Sequence, residues 1–148
     1  IIIDIFPTEE ASGYYSDMTR TVVRGKPSRE IREMYTTLLE AKRLAISRTR
    51  TGAVGADVYQ NVVDFFADHG YESNTRGFVH NLGHGVGLQV HEFPTVGPAG
   101  GELETGNVVT LEPGLYYPET GGVRIEDIGA VTRKGFVNFT TFSEELVL

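Results

Sequence analysis

Four carboxylates lie in or beside short hydrophobic runs of the chain: Asp4 in IIIDIF, Asp17 just ahead of TRTVV, Glu112 in VVTLEPG and Glu126 in VRIED. An acidic side chain at a strand end usually faces solvent, and for each residue alone this is the simplest explanation. If the four strands share one sheet face, however, the carboxylates would repel each other unless cations neutralised them. The pattern therefore predicts that these side chains bind divalent metal ions.

Three histidines, His80, His84 and His91, fall within the glycine-rich stretch HNLGHGVGLQVHEFP. A four-residue spacing of histidines is a helical zinc pattern, but the interleaved glycines disfavour a helix. A dinucleotide-binding loop is also disfavoured, because no helix begins after the glycines. A lone histidine is more often structural, yet three beside glycines that allow close approach of a ligand favour a site. His69, at the end of a predicted helix, is interpreted as structural.

Oxygen and imidazole are the metal ligands to consider, because the chain contains no cysteine. Such a set favours Mn, Co, Fe or Zn in a mixed site over a thiolate zinc site. Four carboxylates balance the charge of two divalent ions. Two metals about 3.5–4 Å apart can hold a bridging water, lower its pKa and polarise the bond to be cleaved. The ligand types thus point to hydrolase chemistry.

Composition bounds the class of protein that carries this site. The 148 residues include 13 basic and 20 acidic side chains, a net charge of −7, and 40% of the residues are hydrophobic. These values indicate one globular domain over residues 1–148, and they disfavour nucleic acid and anionic membranes as partners. No apolar run approaches the roughly 20 residues of a membrane helix, and no targeting segment is evident, so we expect a cytoplasmic protein.

A β-hairpin is predicted to bring the two aspartates together. Residues 1–6 and 14–25 are rich in β-branched and aromatic side chains, with a polar loop over 7–13 between them. Asp4 and Asp17 flank this loop. We therefore expect them to lie near one another on adjacent antiparallel strands.

Two helices and three later strands are predicted to complete the fold, with both helices on one side of a sheet. Ser28 is a candidate N-cap for the first helix, and the second is predicted over 56–69. Basic residues near the end of the first helix suit the negative pole of its dipole; they are Lys42, Arg43, Arg48 and Arg50. The strands are predicted over 108–111, 123–128 and 136–139, with turns at Pro113-Gly114, Gly121-Gly122 and Lys134-Gly135. In the middle strand, Arg124 and Glu126 share one face while Asp127 points away.

The chain resembles the metal-dependent peptidases of the creatinase and methionine aminopeptidase superfamily, and most closely their Xaa-Pro branch of prolidases and aminopeptidase P. The resemblance rests on motifs that follow in the family's order over nearly the whole chain: DIFP, GYYSDMTRT, HNLGHGVGLQVHEFP, LEPG and VRIED. It implies the α+β pita-bread fold, a curved and mostly antiparallel sheet with helices on its outer face. Helices that precede the first aspartate strand in the family are absent, so we expect the N-terminal part of the fold to be missing.

The resemblance also implies a complete set of ligands for two metals. Asp4 is similar to the ligand of one metal alone, and Asp17 and Glu126 are similar to the bridging carboxylates. His84 and Glu112 are similar to the ligands of the second metal. Mn and Co are favoured as the two divalent ions, and Zn and Fe are compatible with the same ligands.

Further residues receive catalytic roles from the resemblance. His91 is similar to the histidine that steadies the tetrahedral intermediate, and His80 to the one that contacts substrate near the scissile bond. Glu112 corresponds to a residue thought to shuttle protons. Arg124 is similar to an arginine beside the metal centre of aminopeptidase P.

The Xaa-Pro branch is favoured by the Asp-x-Thr-Arg-Thr form of residues 17–21 and by a histidine four residues before His84. We expect a dinuclear metallopeptidase that cleaves short peptides next to proline through a metal-bridging hydroxide. The alternatives are a methionine aminopeptidase-like exopeptidase and a non-catalytic module that binds a peptide or partner on the same fold. Creatinase itself is disfavoured because it lacks the metals. The resemblance also allows a homodimer of the full-length protein.

Overall fold

A computed structural model describes residues 1–148 as an α+β fold, and in it an N-terminal hairpin and two helices precede a series of short strands. The strands in chain order are β1 (Ile2–Ile5), β2 (Met18–Thr21), β3 (Gly83–Gly85), β4 (Glu92–Val96), β5 (Val108–Leu111), β6 (Gly114–Tyr117), β7 (Gly121–Arg124), β8 (Asp127–Thr132) and β9 (Gly135–Asn138). The helices are α1 (Arg29–Arg48) and α2 (Gly55–Asp68). Neither α1 nor α2 contains an apolar stretch of the length that a membrane span requires.

Three antiparallel sheets contain these strands. The largest has the order β4-β3-β5-β8-β9, and the hairpins β1-β2 and β6-β7 form the other two. The α+β class and the mostly antiparallel pairing were predicted and are confirmed. The single predicted strand over 123–128 is wrong, because it is divided between β7 and β8, which lie in different sheets. Gly114, Gly121 and Gly135 were predicted in turns, but each begins a strand.

The predicted N-terminal hairpin is present, and its register explains how Asp4 and Asp17 come together. Asp4 pairs with Thr19, and Ile5 pairs with Met18. Side chains alternate between faces along a strand, so Asp17, two positions before Thr19, faces the same side as Asp4. Arg20 therefore points to the opposite side of the hairpin.

Both predicted helices are confirmed, the first with its predicted cap and the second within one residue at each end. The Ser28 hydroxyl caps α1 by accepting a hydrogen bond of 3.2 Å from the Ile31 amide. The two helices pack against each other and bury one apolar stripe each, formed by Met34, Tyr35, Leu38, Ala41, Ala45, Val58, Tyr59, Val62 and Phe66. Behind α1 lie β5, β6, β7 and β9, whereas α2 covers β4. The helices thus form an outer layer over the strands that carry the site.

Lys42 departs from its predicted role as a cation beside the helix dipole. Its side chain is only 2% exposed, and its ammonium lies 2.5 Å from Oδ2 of Asp127 and also contacts Glu144. A lysine is almost never fully buried unless it is paired with acidic groups. The pairing with Asp127, rather than the helix dipole, explains why this lysine lies inside the protein.

The interleaved glycines of the histidine stretch allow neighbouring strands to approach β3 closely. The sequence analysis had instead predicted the close approach of a ligand. A Cβ atom at Gly83 would lie 2.0 Å from the carbonyl oxygen of Thr110, and one at Gly85 would lie 2.3 Å from that of Phe93. Any larger residue would therefore push β3 away from β5 and β4. The glycines fix the position of His84 between them.

Candidate metal centre

Asp17, His84 and Glu126 form the closest group of possible metal ligands. One ligand atom from each residue lies within 4.8 Å of those of the other two. Nε2 of His84 lies 3.8 Å from Oδ2 of Asp17 and 3.2 Å from Oε1 of Glu112. All five predicted ligands, including Asp4, line one cavity of about 80 Å³, together with Phe6, Val90 and His91.

The five side chains reach this cavity from separate parts of the fold rather than from one sheet. Asp4 lies in β1, and Asp17 lies directly before β2. His84 is the central residue of β3, whereas Glu112 follows β5 and Glu126 lies between β7 and β8. The cavity therefore lies where the ends of three sheets meet, and the assumption of a shared sheet face is wrong.

Glu126 is the most enclosed of the carboxylates, with 2% of the residue exposed. Its Oε2 accepts a hydrogen bond of 2.7 Å from the hydroxyl of Thr19. The Glu126 amide donates to the carbonyl oxygen of Thr19 at 3.0 Å. These two hydrogen bonds attach the segment between β7 and β8 to the N-terminal hairpin.

Burial and mutual repulsion disfavour the charged forms of two carboxylates of this cavity, Asp17 and Glu126. Burial, followed by the charge of Asp4, raises the pKa of Asp17 to about 6. Burial, followed by the charges of Glu112 and Asp17, raises the pKa of Glu126 to about 8. Burial opposes protonation of His84, but the hydrogen bonds to Glu112 and to the Gly85 backbone, together with the charges of Glu112 and Glu126, outweigh it and raise the histidine pKa. Two buried carboxylates beside an imidazole, with the more exposed Asp4 and Glu112 at the same cavity, fit divalent metal ions, which would replace these protons.

Arg124 connects Asp4 to the rest of the site. Its Nη2 donates to Oδ2 of Asp4 at 2.6 Å, its Nε donates to the Thr19 hydroxyl at 3.2 Å, and its Nη1 donates to the Tyr116 hydroxyl at 3.1 Å. Arg124 and Glu126 thus meet at Thr19. Without a metal, the arginine neutralises the Asp4 carboxylate.

The two histidines with predicted catalytic roles occupy different positions. His91 lines the cavity, and the centre of its ring lies 4.1 Å from that of His84. His80 lies outside the cavity lining, where its Nε2 is 3.0 Å from the Tyr116 hydroxyl. Nδ1 of His69 forms a hydrogen bond of 2.7 Å with the carbonyl oxygen of Phe65. This contact agrees with the prediction that His69 has a structural role.

Two residues of the site, Thr19 and Tyr116, were missed by the sequence analysis. Thr19 could have been found, because strand alternation places its side chain on the same face as that of Asp17. It is also the residue that pairs with Asp4 on the neighbouring strand. Tyr116 gives no such signal, since it lies in the segment GLYY, which contains no charged or metal-binding residue type. It contributes a hydroxyl that joins His80 to Arg124.

The model of metallopeptidase family M24 matches residues 1–133. The chain is 41% identical over 137 residues to an Xaa-Pro dipeptidase of Lactobacillus delbrueckii subsp. lactis, covering 90% of this chain and 36% of that protein. It superposes on the prolidase of Pyrococcus horikoshii OT3 with a TM-score of 0.90 and 38% identity, covering 98% of this chain and 41% of the other. With the X-Pro aminopeptidase of Thermotoga maritima MSB8 the TM-score is 0.91 at 34% identity, over 99% and 41% of the two chains.

These similarities confirm the predicted pita-bread fold and the predicted resemblance to Xaa-Pro peptidases. The chain spans 41% of the length of each of the two solved relatives and 36% of the Lactobacillus protein. The family match covers every one of the proposed ligands, from Asp4 to Glu126. The chain belongs to metallopeptidase family M24.

Proposed function

We propose that this chain carries the dinuclear metal centre of a peptidase that cleaves short peptides next to proline. The observation that carries the proposal is the convergence of five potential ligands on one small cavity: Asp4, Asp17, His84, Glu112 and Glu126. Membership of a metallopeptidase family supports divalent metal ions at this position. Relatives named Xaa-Pro dipeptidase support a proline-containing peptide as the substrate.

In the proposed centre, Asp17 and Glu126 would be shared by two ions, Asp4 would hold one of them, and His84 and Glu112 would hold the other. The burial of these two carboxylates and their closeness to each other and to His84 support this shared role. Mn and Co are the favoured ions, because the set contains four carboxylates and a single imidazole. When bound, the metals supply an activated water and a Lewis acid for peptide hydrolysis.

Proton transfer, stabilisation of the intermediate and contact with the substrate are assigned to side chains of the protein. Glu112 accepts a hydrogen bond of 3.2 Å from the Thr110 hydroxyl and keeps a partly exposed carboxylate, which suits a group that carries protons into and out of the cavity. His91 lies at the cavity wall, where its ring can donate a hydrogen bond to the tetrahedral intermediate. His80, held by Tyr116, is proposed to contact the substrate beside the scissile bond.

Calorimetric titration with Mn²⁺ tests the metal centre directly. We expect two ions per chain for the unmodified protein, and loss of at least one of them in Asp17→Asn and Glu126→Gln. The matched control is Glu40→Gln, which neutralises an exposed acidic residue of α1 far from the cavity. A wild-type protein that binds no Mn²⁺ would contradict the proposal.

Release of free proline from an Xaa-Pro dipeptide tests the reaction, with a dialanine peptide as the substrate control. We expect metal-dependent cleavage of the first peptide only, abolished in Glu126→Gln. Two bound ions without any cleavage would instead favour a non-catalytic binding module. Preferential cleavage of an N-terminal methionine from a peptide without proline would favour a methionine aminopeptidase-like activity.

A further inference from the structure

A group of buried charges lies on the side of the hairpin away from the cavity. Its members, here called the rear cluster, are Arg20, Lys42 and Asp127, whose side chains are 5%, 2% and 1% exposed. Arg20 donates to Oδ1 of Asp127 at 2.9 Å, and Lys42 approaches Oδ2 of the same carboxylate at 2.5 Å. Asn138 also donates to Oδ2, at 2.7 Å. The Asp127 carboxylate is thus held by three side chains.

Arg20 also binds the backbone of the metal site. Its Nη1 donates to the carbonyl oxygen of Thr19 at 2.9 Å and to that of Glu126 at 2.7 Å. These are the two residues whose side chains meet in the cavity through the Thr19 hydroxyl. One guanidinium therefore holds together, from behind, the two backbone segments that present this hydrogen bond.

The remaining donors of Arg20 fix the guanidinium itself. Its Nε donates to the carbonyl oxygen of Ser143 at 3.0 Å, and its Nη2 donates to that of Phe142 at 3.1 Å as well as to Asp127. Such a planar fork with every direction satisfied is well defined in position and is specific to arginine. Asp127 follows Glu126 directly in the chain, so holding it also fixes the peptide unit that follows the ligand.

We infer that Arg20, oriented by Asp127, is a positioning residue that fixes the Glu126 carboxylate for metal binding. The inference rests on the proposed function, because it concerns the same metal centre. Metal ligands need precise support from residues behind them, and loss of such support commonly weakens metal affinity about 10- to 100-fold. Arg20 provides this support through the backbone, from the side of the hairpin away from the cavity.

Titration of Mn²⁺ into Arg20→Lys and Arg20→Met, by calorimetry, tests the inference. We expect affinity to fall about 10- to 100-fold in Arg20→Met. Arg20→Lys should lie between this variant and the wild type, because one ammonium keeps the charge but cannot reproduce the fork. The absorption spectrum of the Co²⁺-loaded protein should also shift in Arg20→Met, since it reports the arrangement of the ligands.

A core variant, Val62→Ala, separates positioning from general stability. It removes buried volume between the helices and should lower the melting temperature without changing Mn²⁺ affinity. Wild-type affinity and an unchanged Co²⁺ spectrum in Arg20→Met would overturn the inference while leaving the metal centre intact. If that variant does not fold, wild-type affinity in Arg20→Lys overturns it. Absence of Mn²⁺ binding in the wild type would refute the proposed function as well.

Discussion

The hydroxyl of Thr19 donates a hydrogen bond of 2.7 Å to Oε2 of Glu126, across 107 positions of the chain. Thr19 faces Asp4 across the hairpin and also accepts a hydrogen bond from Nε of Arg124. A single hydroxyl thus links a proposed bridging ligand to the arginine that pairs with Asp4. Its removal should affect several of the proposed ligands at once.

Thr19→Val should destabilise the metal-free protein by about 1–3 kcal/mol, because it leaves buried polar partners without a hydrogen bond. Mn²⁺ affinity should fall as well, since the Glu126 carboxylate loses the donor that orients it. Urea denaturation and calorimetry measure the two effects. Thr19→Ser keeps the hydroxyl and should retain Mn²⁺ affinity, and equal losses of affinity in both variants would contradict the role of the hydrogen bond.

The stability of the metal-free protein should fall as pH rises. Burial and neighbouring charges raise the pKa of Glu126 from its ordinary 4.5 to about 8, and that of Asp17 from 3.8 to about 6. The folded state therefore holds these protons more tightly than the unfolded state does. The stability that they contribute is fully present below the ordinary pKa values and is lost as pH rises through about 6 and then about 8.

Urea denaturation midpoints of the metal-free protein, measured between about pH 5 and pH 8, test this expectation. Saturating Mn²⁺ should oppose the loss at the alkaline end, because metal binding stabilises the folded state and favours the deprotonated ligands. Glu126→Gln removes the larger of the two titrations and should flatten the metal-free profile. A midpoint that rises with pH in the metal-free wild type would contradict the proposed electrostatics.

Lys42→Ala should destabilise the protein by about 3–5 kcal/mol, the usual effect of removing one partner from a buried ion pair. The reason is that the buried Asp127 and the partly exposed Glu144 both lose a cation partner. The adjacent Arg43 is exposed, so Arg43→Ala is a matched control expected to change stability by no more than about 0.5 kcal/mol. Equal, small effects in the two variants would show that Lys42 is not paired as described.

Gly85→Ala should lower both stability and metal affinity. The added methyl group would lie 2.3 Å from the carbonyl oxygen of Phe93, so β3 and β4 must separate, at a cost of about 1–3 kcal/mol, and His84 moves with β3. Gly101→Ala is the control, because nothing lies within 4 Å of its added methyl group. Thermal melting and Mn²⁺ titration compare the two variants. An unchanged Mn²⁺ affinity in Gly85→Ala would show that His84 does not depend on this strand spacing.

The sequence predicted the hairpin and both helices because each depends on local information. The polar loop after Phe6 and the cap at Ser28 are short-range signals, and the structure contains the elements that they indicate. The strands β3, β4 and β6 were missed, because their glycine-rich or mixed runs lack β-branched alternation. Their positions depend instead on close approach to neighbouring strands.

The candidate site was predicted better than the packing around it, because residue types alone restrict metal ligands while burial depends on distant partners. Lys42 illustrates the limit: its acidic partners Asp127 and Glu144 lie 85 and 102 positions away. Nothing near Lys42 in the sequence distinguishes it from the exposed Arg43. The rear cluster could therefore not be predicted from the sequence and was identified only in the structure.

The side chains that line the cavity come from positions between residue 4 and residue 126 of the chain. This separation in sequence determines when during folding the protein can bind its cations. In a zinc finger, ligands close together in sequence let the ion itself drive folding. Here segments as far apart as residues 4 and 126 must already lie together, at the entropic cost of closing so long a loop, before all the proposed ligands are in place. Cation uptake should consequently be a late event in maturation, one that reports the completion of the tertiary structure rather than initiating it.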